Sequence, residues 1–295
     1  MVKSMRNPIY LIGMEAYKNF SFISKIYDNL KFYYYRHSLP SEPCHDDVWI
    51  VAYPKSGISW LGFLMSNVNL LMNSSERHLT WFNQQCLFPD IHVAQSKLSI
   101  NNQMEFPDFR IIKSHSKYNP FYKQIIYLIR DPRDVMVSNY YYSKNFSNGL
   151  SKNVELFDYI KSNNGIKSWN RHVQSWINCQ HWHKINYFRY EDLKENPKEI
   201  LSRIYSLFGY DIPDDILNKS VEYSDIKQMK ELESNYNKNS LKYFANRSNI
   251  SSDAKFVREG KTNGSLNSEI DEEMNNYIWE KSKDSMKIFG YEYQK

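Results

Sequence analysis

The stretch VAYPKSGISWLGFLMSN, residues 51–67, passes from an apolar run through Pro-Lys-Ser-Gly and resumes as an amphipathic, helix-forming segment. A strand turning sharply into a helix leaves backbone N–H groups that no helical carbonyl satisfies, and the peptide dipoles add partial positive charge there. Anions bind at such ends. In YPKSGISW, Gly57 permits close backbone approach, Lys55 supplies a mobile cation, and Ser56 and Ser59 can donate hydroxyl hydrogen bonds to phosphoryl or sulfuryl oxygens. The spacing is not the GxxxxGK[ST] of a triphosphate-binding loop, and an ordinary strand-to-helix turn is the plain alternative.

Working outward, VWIVAYP reads as the strand before this turn, and FRIIKSH, KQIIYLIRDP and INYFRYEDL as three further short apolar runs, each followed by helical character. Continuous apolar strands alternating with helices predict an α/β fold of three layers, a central parallel β-sheet flanked by helices, of the P-loop nucleotide-binding type. After the first strand, Trp60, Phe63, Leu64, Val68 and Leu71 have spacings that share one helix face. Asp131 and Pro132 suit the N-cap and first position of another helix. GIKSWNRHVQSWINCQHWHK, NPKEILSRIYSLFGY, which ends near Gly209, and EIDEEMNNYIWEKSKDSMKIFGY also read as helices. The polar stretch from about 232 to 268 reads as a long functional loop. With no internal repeat and no domain boundary visible, residues 1–295 are expected to form a single domain, its core motifs lying at about 46–290.

The 295-residue chain is long enough for a substantial core, and its net charge of +5 comes without a basic block of the kind nucleic-acid tails carry. An anionic small ligand accounts for that excess. Three cysteines, Cys44, Cys86 and Cys179, show neither disulfide framework nor CxxC pair, which favours a reducing, cytoplasmic setting. No run approaches the length of a membrane span, and the N-terminal PIYLIGM is too short for a secretory signal. The expected protein is soluble, with no membrane and no nucleic-acid partner.

Arg130 falls at the carboxyl end of the IIYLI strand, where open α/β sheets place ligands, and Ser138 follows about two helical turns later, so both can address a second anionic group. A Walker-B-like alternative has Asp131 holding Mg²⁺, but a helix-capping role would occupy its carboxylate. Lys113 and His115 lie just beyond another strand and share a side if the chain stays extended. A neutral imidazole suits proton removal from an attacking hydroxyl or amine, and a nearby ammonium stabilises charge on a transferred group. Taken alone, either residue has an ordinary structural explanation. Cys179, His181 and His183 in CQHWH lack an evident fourth metal ligand. The aromatics Trp81, Phe82, Phe88, Phe106 and Tyr140 to Tyr142 suit either an acceptor pocket wall or plain core packing.

Taken together, these segments resemble the family of sulfotransferases that use 3′-phosphoadenosine 5′-phosphosulfate (PAPS), in its cytosolic small-molecule branch. YPKSGISW is similar to that family's 5′-phosphosulfate loop, usually YPKSGTTW, with Ile58 and Ser59 replacing the threonines. YLIRDPRDVMVSNYYY resembles its 3′-phosphate segment, KSH its Lys-Thr-His strip, FRYEDLKENP its Tyr-Glu-Asp segment, SWNRHVQSW its intervening helix and FVREGKTNG its late RKGxxG loop. The matches run in family order from about residue 46 to 290.

The resemblance implies that Lys55, Ser56, Gly57, Ile58, Ser59 and Trp60 surround the 5′-phosphosulfate, with Trp60 also touching adenine. It implies that Arg130 and Ser138 hold the 3′-phosphate, that Tyr190 contacts the nucleotide, and that Arg258 and Gly260 close over it. VEYSDIKQM stands where the family has Thr-Ser-Phe, aligning Ser224 with a nucleotide-contacting Thr and Ile226 with an adenine-packing Phe. His115 becomes the general base, and Lys55 and Lys113 the stabilisers of charge on sulfuryl and leaving phosphate. Glu259 replaces the family Lys, which implies weaker nucleotide binding; NGSLN replaces the usual GDWKN and lacks its Trp. The family dimer strip is absent, so a monomer or a different dimer is expected. SHSKYNP in place of His-Leu-Pro sets Ser116 and Lys117 near the acceptor side and suggests a polar pocket.

The expected activity is sulfuryl transfer from PAPS to a hydroxyl or amine of a small-molecule acceptor, with a polar secondary metabolite favoured and no metal required. The alternatives are an ATP- and Mg²⁺-dependent small-molecule kinase and a non-catalytic nucleotide sensor.

Overall fold

The computed structural model describes residues 35, 38–40, 44–74, 79–93, 106–146, 153–179, 184–234 and 269–294. The chain from Cys44 to Lys295 packs as one unit, and Met1–Pro43 form another. In the larger unit β1 (Val48–Ala52), β2 (Ile111–Ser114), β3 (Gln124–Ile129) and β4 (Ile185–Arg189) form a wholly parallel sheet in the order β2-β1-β3-β4. These are the four apolar runs read from the sequence. β1 is buried along its whole length because it has a strand on each edge and a layer on each face.

Alternation along β1 divides its side chains between two cores. Val48, Ile50 and Ala52 join Ile58, Leu61, Leu64 and Val68 of α1 (Ile58–Met72). The same cluster takes in Ile200, Leu201, Ile204 and Tyr205 of α7, Pro197–Ser206. On the opposite face Trp49 stacks on Tyr122 at 3.6 Å, and Tyr122 and Tyr127 pack on Trp176 of α5 (Ile166–Ile177). Helices thus cover both faces, giving the expected three layers.

Helix α1 departs from expectation: it is buried continuously from Leu61 to Leu70, including Ser66, Asn67 and Asn69. A second helix, α8 (Asp214–Tyr223), covers the side that the sequence pattern assigns to solvent. Asn67 donates to Ser224 at 2.9 Å and Ser220 donates to the Leu64 carbonyl at 2.7 Å, while Tyr205 of α7 donates to Asn69 at 2.7 Å; the buried Ser66 hydroxyl has no partner.

The remaining described helices are α2 (Trp81–Leu87), α3 (Pro132–Phe146), α4 (Leu156–Lys161), α6 (Tyr190–Glu195), α9 (Ile226–Ser234) and α10 (Glu272–Ile288). Pro132 opens α3 and Pro197 opens α7 at the positions their fixed φ favours. The chain after β4 folds at once into α6, which the reading of FRYEDL as a strand followed by one helix did not separate. Helix α5 stops at Ile177, short of His181 and His183, which lie outside the described residues, as do residues 235–268 of the long polar stretch.

Strand order β2-β1-β3-β4 reverses the direction of winding at β1 and β3, and ligands bind beyond the carboxyl ends of strands at such a switch point. The segments that leave those ends begin at Tyr53, His115 and Arg130.

At the other end of the strands, Arg110 grips Asp47 through Nε at 2.6 Å and Nη2 at 2.8 Å, both side chains buried. Arg110→Ala strands a buried carboxylate and should cost about 3 kcal/mol or more. A lowered urea midpoint with unchanged slope is the expected observation.

Candidate active site

The turn after β1 has features that can receive an anion. Lys55 takes φ 72° and Gly57 φ 92°, and Gly57 caps α1 without any side-chain hydrogen bond. No side chain therefore caps the start of α1, where Trp60 and Leu61 donate to the Gly57 carbonyl at 3.0 and 3.2 Å and the N–H groups before them have no helical carbonyl to meet. Gly57 cannot be replaced cheaply, because a Cβ there would lie 2.3 Å from the Tyr190 ring, and its φ belongs to the left-handed region. Ser56 is 1% exposed and its hydroxyl has no hydrogen-bond partner, although buried hydroxyls ordinarily find one. A phosphoryl or sulfuryl oxygen fits that donor.

Arg130, just past β3, is buried and reaches the same turn. Its Nη1 donates to the Lys55 carbonyl at 3.3 Å, its Nη2 lies 3.4 Å from Asp134 of α3, and its guanidinium lies 4.4 Å from the Tyr190 ring centre. Tyr190 also meets Trp60 edge-on at 5.9 Å. One ring thus touches the glycine of the loop, the indole after it and the arginine of the next strand. Ser138 is buried two turns along α3.

The Asp131 carboxylate accepts from the Arg133 backbone N–H at 2.9 Å and from Arg133 Nε and Nη2. That is the capping role expected of it, with an arginine added. The Asp131 N–H donates to Glu191 at 3.0 Å, and Glu191 also accepts from Tyr291 at 2.8 Å. Glu191 thereby joins the end of β3, the start of α6 and the C-terminal segment; it lies in the quoted FRYEDL motif, yet only Tyr190 drew a role from the sequence.

On the other flank of β1, His115 Nδ1 lies 2.7 Å from the Ala52 carbonyl. A carbonyl only accepts, so Nδ1 carries the proton and Nε2 is the basic nitrogen. Withdrawal from solvent and the nearby Lys113 ammonium hold the imidazole down to about 4, against the opposing pull of Asp90 and the Ala52 bond. Lys113 Nζ pairs with Asp90 at 3.1 Å. Burial alone would raise Asp90, but Lys113 and the neighbouring His115 and His92 bring it to about 2.

The sequence offered no sign of Asp90 or His92, because they belong to a segment that among the described residues is bridged to β2 at Asp90 and Lys113 alone. Exposed His92 lies parallel to His115 at 6.5 Å and within 3.4 Å of the Ser114 and Ser116 hydroxyls. Buried His172 of α5 accepts a hydrogen bond from the Tyr127 hydroxyl on Nδ1 at 2.8 Å and lies with Nε2 3.2 Å from the His115 carbonyl. Burial keeps it neutral, down to about 3.

Other expected site residues sit less openly. Trp60 Nε1 donates to the Ser224 carbonyl at 2.9 Å, and the Ser224 side chain is fully buried against Asn67. Ile226 and Trp60 pack on one small cluster with Phe63, Leu70, Leu79 and Met229. Ile58 is buried in the main core, Ser59 is partly exposed, and Arg258 and Gly260 lie outside the described residues. Lys55 Nζ stands 4.3 Å over the Tyr142 ring. Phe88 belongs to the main core and Phe106 packs on Tyr205 and Tyr210, so these two serve packing, while the Trp81 and Phe82 side chains lie outside the description.

The sulfotransferase domain model matches residues 45–290. The chain belongs to the sulfotransferase domain family. It is 29% identical to mouse sulfotransferase 2B1 over 195 residues, 63% of this chain and 56% of that protein, so the match spans little more than half of that relative. It is 29% identical to rat sulfotransferase 2A1 over 204 residues, 65% of this chain and 69% of the relative. Two solved structures share the fold. Retinol dehydratase in a complex with retinol and PAP superposes with TM-score 0.65 at 18% identity, over 90% of this chain and 87% of that one. Mouse sulfotransferase SULT7A1 complexed with PAP gives 0.58 at 21%, over 87% and 89%.

In this member of the sulfotransferase family the loop, the arginine and the imidazole meet at one rim of the sheet, with Tyr190 between loop and arginine. Gly57→Ala must displace that ring and strain the turn. Adenosine 3′,5′-bisphosphate (PAP) binding should weaken at least tenfold, about 1.4 kcal/mol, measured by calorimetry on protein whose circular dichroism is unchanged.

Proposed function

We propose that the protein is a PAPS-dependent sulfotransferase acting on a hydroxyl or amine of a small molecule, residues 1–295 working as one sulfotransferase-like domain. The observation that carries this reading is the contact between His115 Nδ1 and the Ala52 carbonyl. It seats a neutral imidazole beside the strand end from which the anion loop springs. Base and anion site are then neighbours by construction.

Lys55, Ser56, Gly57, Ile58, Ser59 and Trp60 cradle the 5′-phosphosulfate, with the uncapped start of α1 and the Ser56 hydroxyl as donors. Arg130 and Ser138 take the 3′-phosphate, joined by Arg258 and Gly260; Tyr190 contacts the nucleotide, and Ser224 and Ile226 complete its surroundings. His115 Nε2 removes the acceptor proton as the acceptor oxygen or nitrogen bonds to sulfur and the sulfur–phosphate oxygen bond breaks, releasing PAP. Lys55 and Lys113 offset the negative charge on the sulfuryl group and on the leaving phosphate.

Positive charge for this scheme comes from side chains and helix-end N–H groups, and the Arg133 contacts on Asp131 favour it over a Mg²⁺-dependent kinase. A base held in one tautomer favours an enzyme over a sensor. Asp90, His92, Ser114 and Ser116 around His115 support a hydrophilic acceptor. Among the described residues no helix is long and apolar enough to cross a membrane. A cytoplasmic monomer, or a dimer without the family strip, remains part of the proposal.

Mass spectrometry of an acceptor panel incubated with protein and PAPS should reveal a product heavier by SO₃. His115→Ala should lower transfer by about 100-fold or more while PAP still binds. Because the imidazole stays neutral down to about pH 4, wild-type transfer should persist in mildly acid solution and fall as pH nears that value. Undiminished transfer by the variant would remove His115 from the mechanism, and PAP binding with every acceptor inert would favour a sensor.

A further inference from the structure

The 3′-phosphate cradle contains a carboxylate. Asp134 follows Arg130 by four residues and precedes Ser138 by four on α3, so it lies on the helix face between the two groups assigned to that phosphate. Its residue is 2% exposed. Oδ2 lies 3.4 Å from Arg130 Nη2, whereas Oδ1 is buried with no hydrogen-bond partner. A buried carboxylate oxygen that accepts nothing is costly while charged and far less so once it carries a proton.

The charges facing Asp134 are unequal. Arg130 is its cationic contact. Asp131, held by Arg133, and Glu191 of α6, held by the Asp131 N–H and Tyr291, add negative potential; Lys194 of α6 adds a weaker positive one. Withdrawal from solvent outweighs Arg130 and lifts the Asp134 carboxyl to about 6, with Asp131 and Glu191 pushing the same way. Little further change is needed to protonate it at neutral pH.

We propose that Asp134 is a positioning residue of the 3′-phosphate site, holding Arg130 in place before the nucleotide arrives and taking up a proton when the 3′-phosphate docks. This rests on the sulfotransferase reading. A docking dianion draws on Arg130, so Asp134 loses its counter-charge and gains an anionic neighbour. The proton comes from solvent, and the resulting carboxyl O–H becomes a donor where a carboxylate would repel. Asp134 is then more basic in the complex than in the empty site, so binding tightens as pH falls toward about 6 and levels off below. The second ionisation of a phosphate monoester, near pH 6, works in the opposite direction, so the effect is read above it.

Calorimetry of the full chain with PAP at about pH 7.5, where phosphate monoesters are dianionic, in buffers of different ionisation enthalpy counts protons taken up on binding. Net uptake is expected with PAP and none with adenosine 5′-phosphate, which lacks the 3′ group. PAP affinity should weaken with rising pH by up to about tenfold per unit, and Asp134→Asn should abolish both uptake and slope. PAP binding without uptake, equal uptake with adenosine 5′-phosphate, or uptake retained by the variant would overturn the role of Asp134 while leaving the sulfotransferase reading intact. Failure of PAP to bind at any pH would overturn both.

Discussion

Strand β1 lies between two parallel neighbours, and the site follows from that pairing. Because β2 and β3 flank it, the chain leaving β2 must cross β1 before it can enter β3. Residues 115–123 make the crossing, with Tyr122 laid flat on Trp49. Helix α5 fastens this segment: Trp176 donates to the Ser116 carbonyl at 3.1 Å, Ser175 accepts from the Tyr118 N–H at 3.0 Å and His172 meets the His115 carbonyl at 3.2 Å. Each such bond contributes only about 1 kcal/mol, but together they leave the backbone of His115 few alternatives. The ends of three strands then deliver Lys55, His115 and Arg130 to one rim.

An anion site must keep its cations in place before the anion comes. Withdrawing a charge from water without a partner is expensive, and the buried Arg130 and the partly buried Lys113 and Lys55 each have one. Arg130 has Asp134 and the Tyr190 ring, Lys113 has Asp90, and Lys55 has the Tyr142 ring. Two kinds of partner behave differently. An aromatic face attracts a cation without adding net charge and does not repel an arriving phosphate. A carboxylate does repel it, so an arriving anion would have to neutralise or displace it.

The four strands were legible because a buried parallel strand writes itself as an unbroken apolar run, as in VWIVA and QIIYLI. The turn after β1 was legible because Pro-Lys-Ser-Gly interrupts such a run at a strand end. Burial of α1 on nearly every side was not, since it depends on α8, more than a hundred residues away, meeting Asn67 and Leu64. Asp90 and His92 escaped for a related reason: nothing in LFPDIH shows a strand or helix period, and a bridge between Asp90 and Lys113 brings the segment beside His115. Gly57 could be read as a turn residue, yet the stronger demand on it, the ring of Tyr190, comes from across the sheet. Local pattern wrote the strands and their turns, and contacts distant in sequence wrote the electrostatics.

The seat of His115 follows from register. β1 and β2 pair as far as Val51 opposite Ser114, so the next step would set Ala52 opposite His115. The strand ends there, and the His115 ring takes the Ala52 carbonyl at 2.7 Å, continuing the ladder with a side chain. The other edge of Ala52 remains paired opposite Leu128, two residues before Arg130. One residue therefore references both His115 and Arg130 to the same point of the sheet. A slip of register on either edge would move one of them by a residue step and turn its side chain to the other face. Precision at the site is inherited from backbone pairing in the most buried strand, where slippage would cost the whole core.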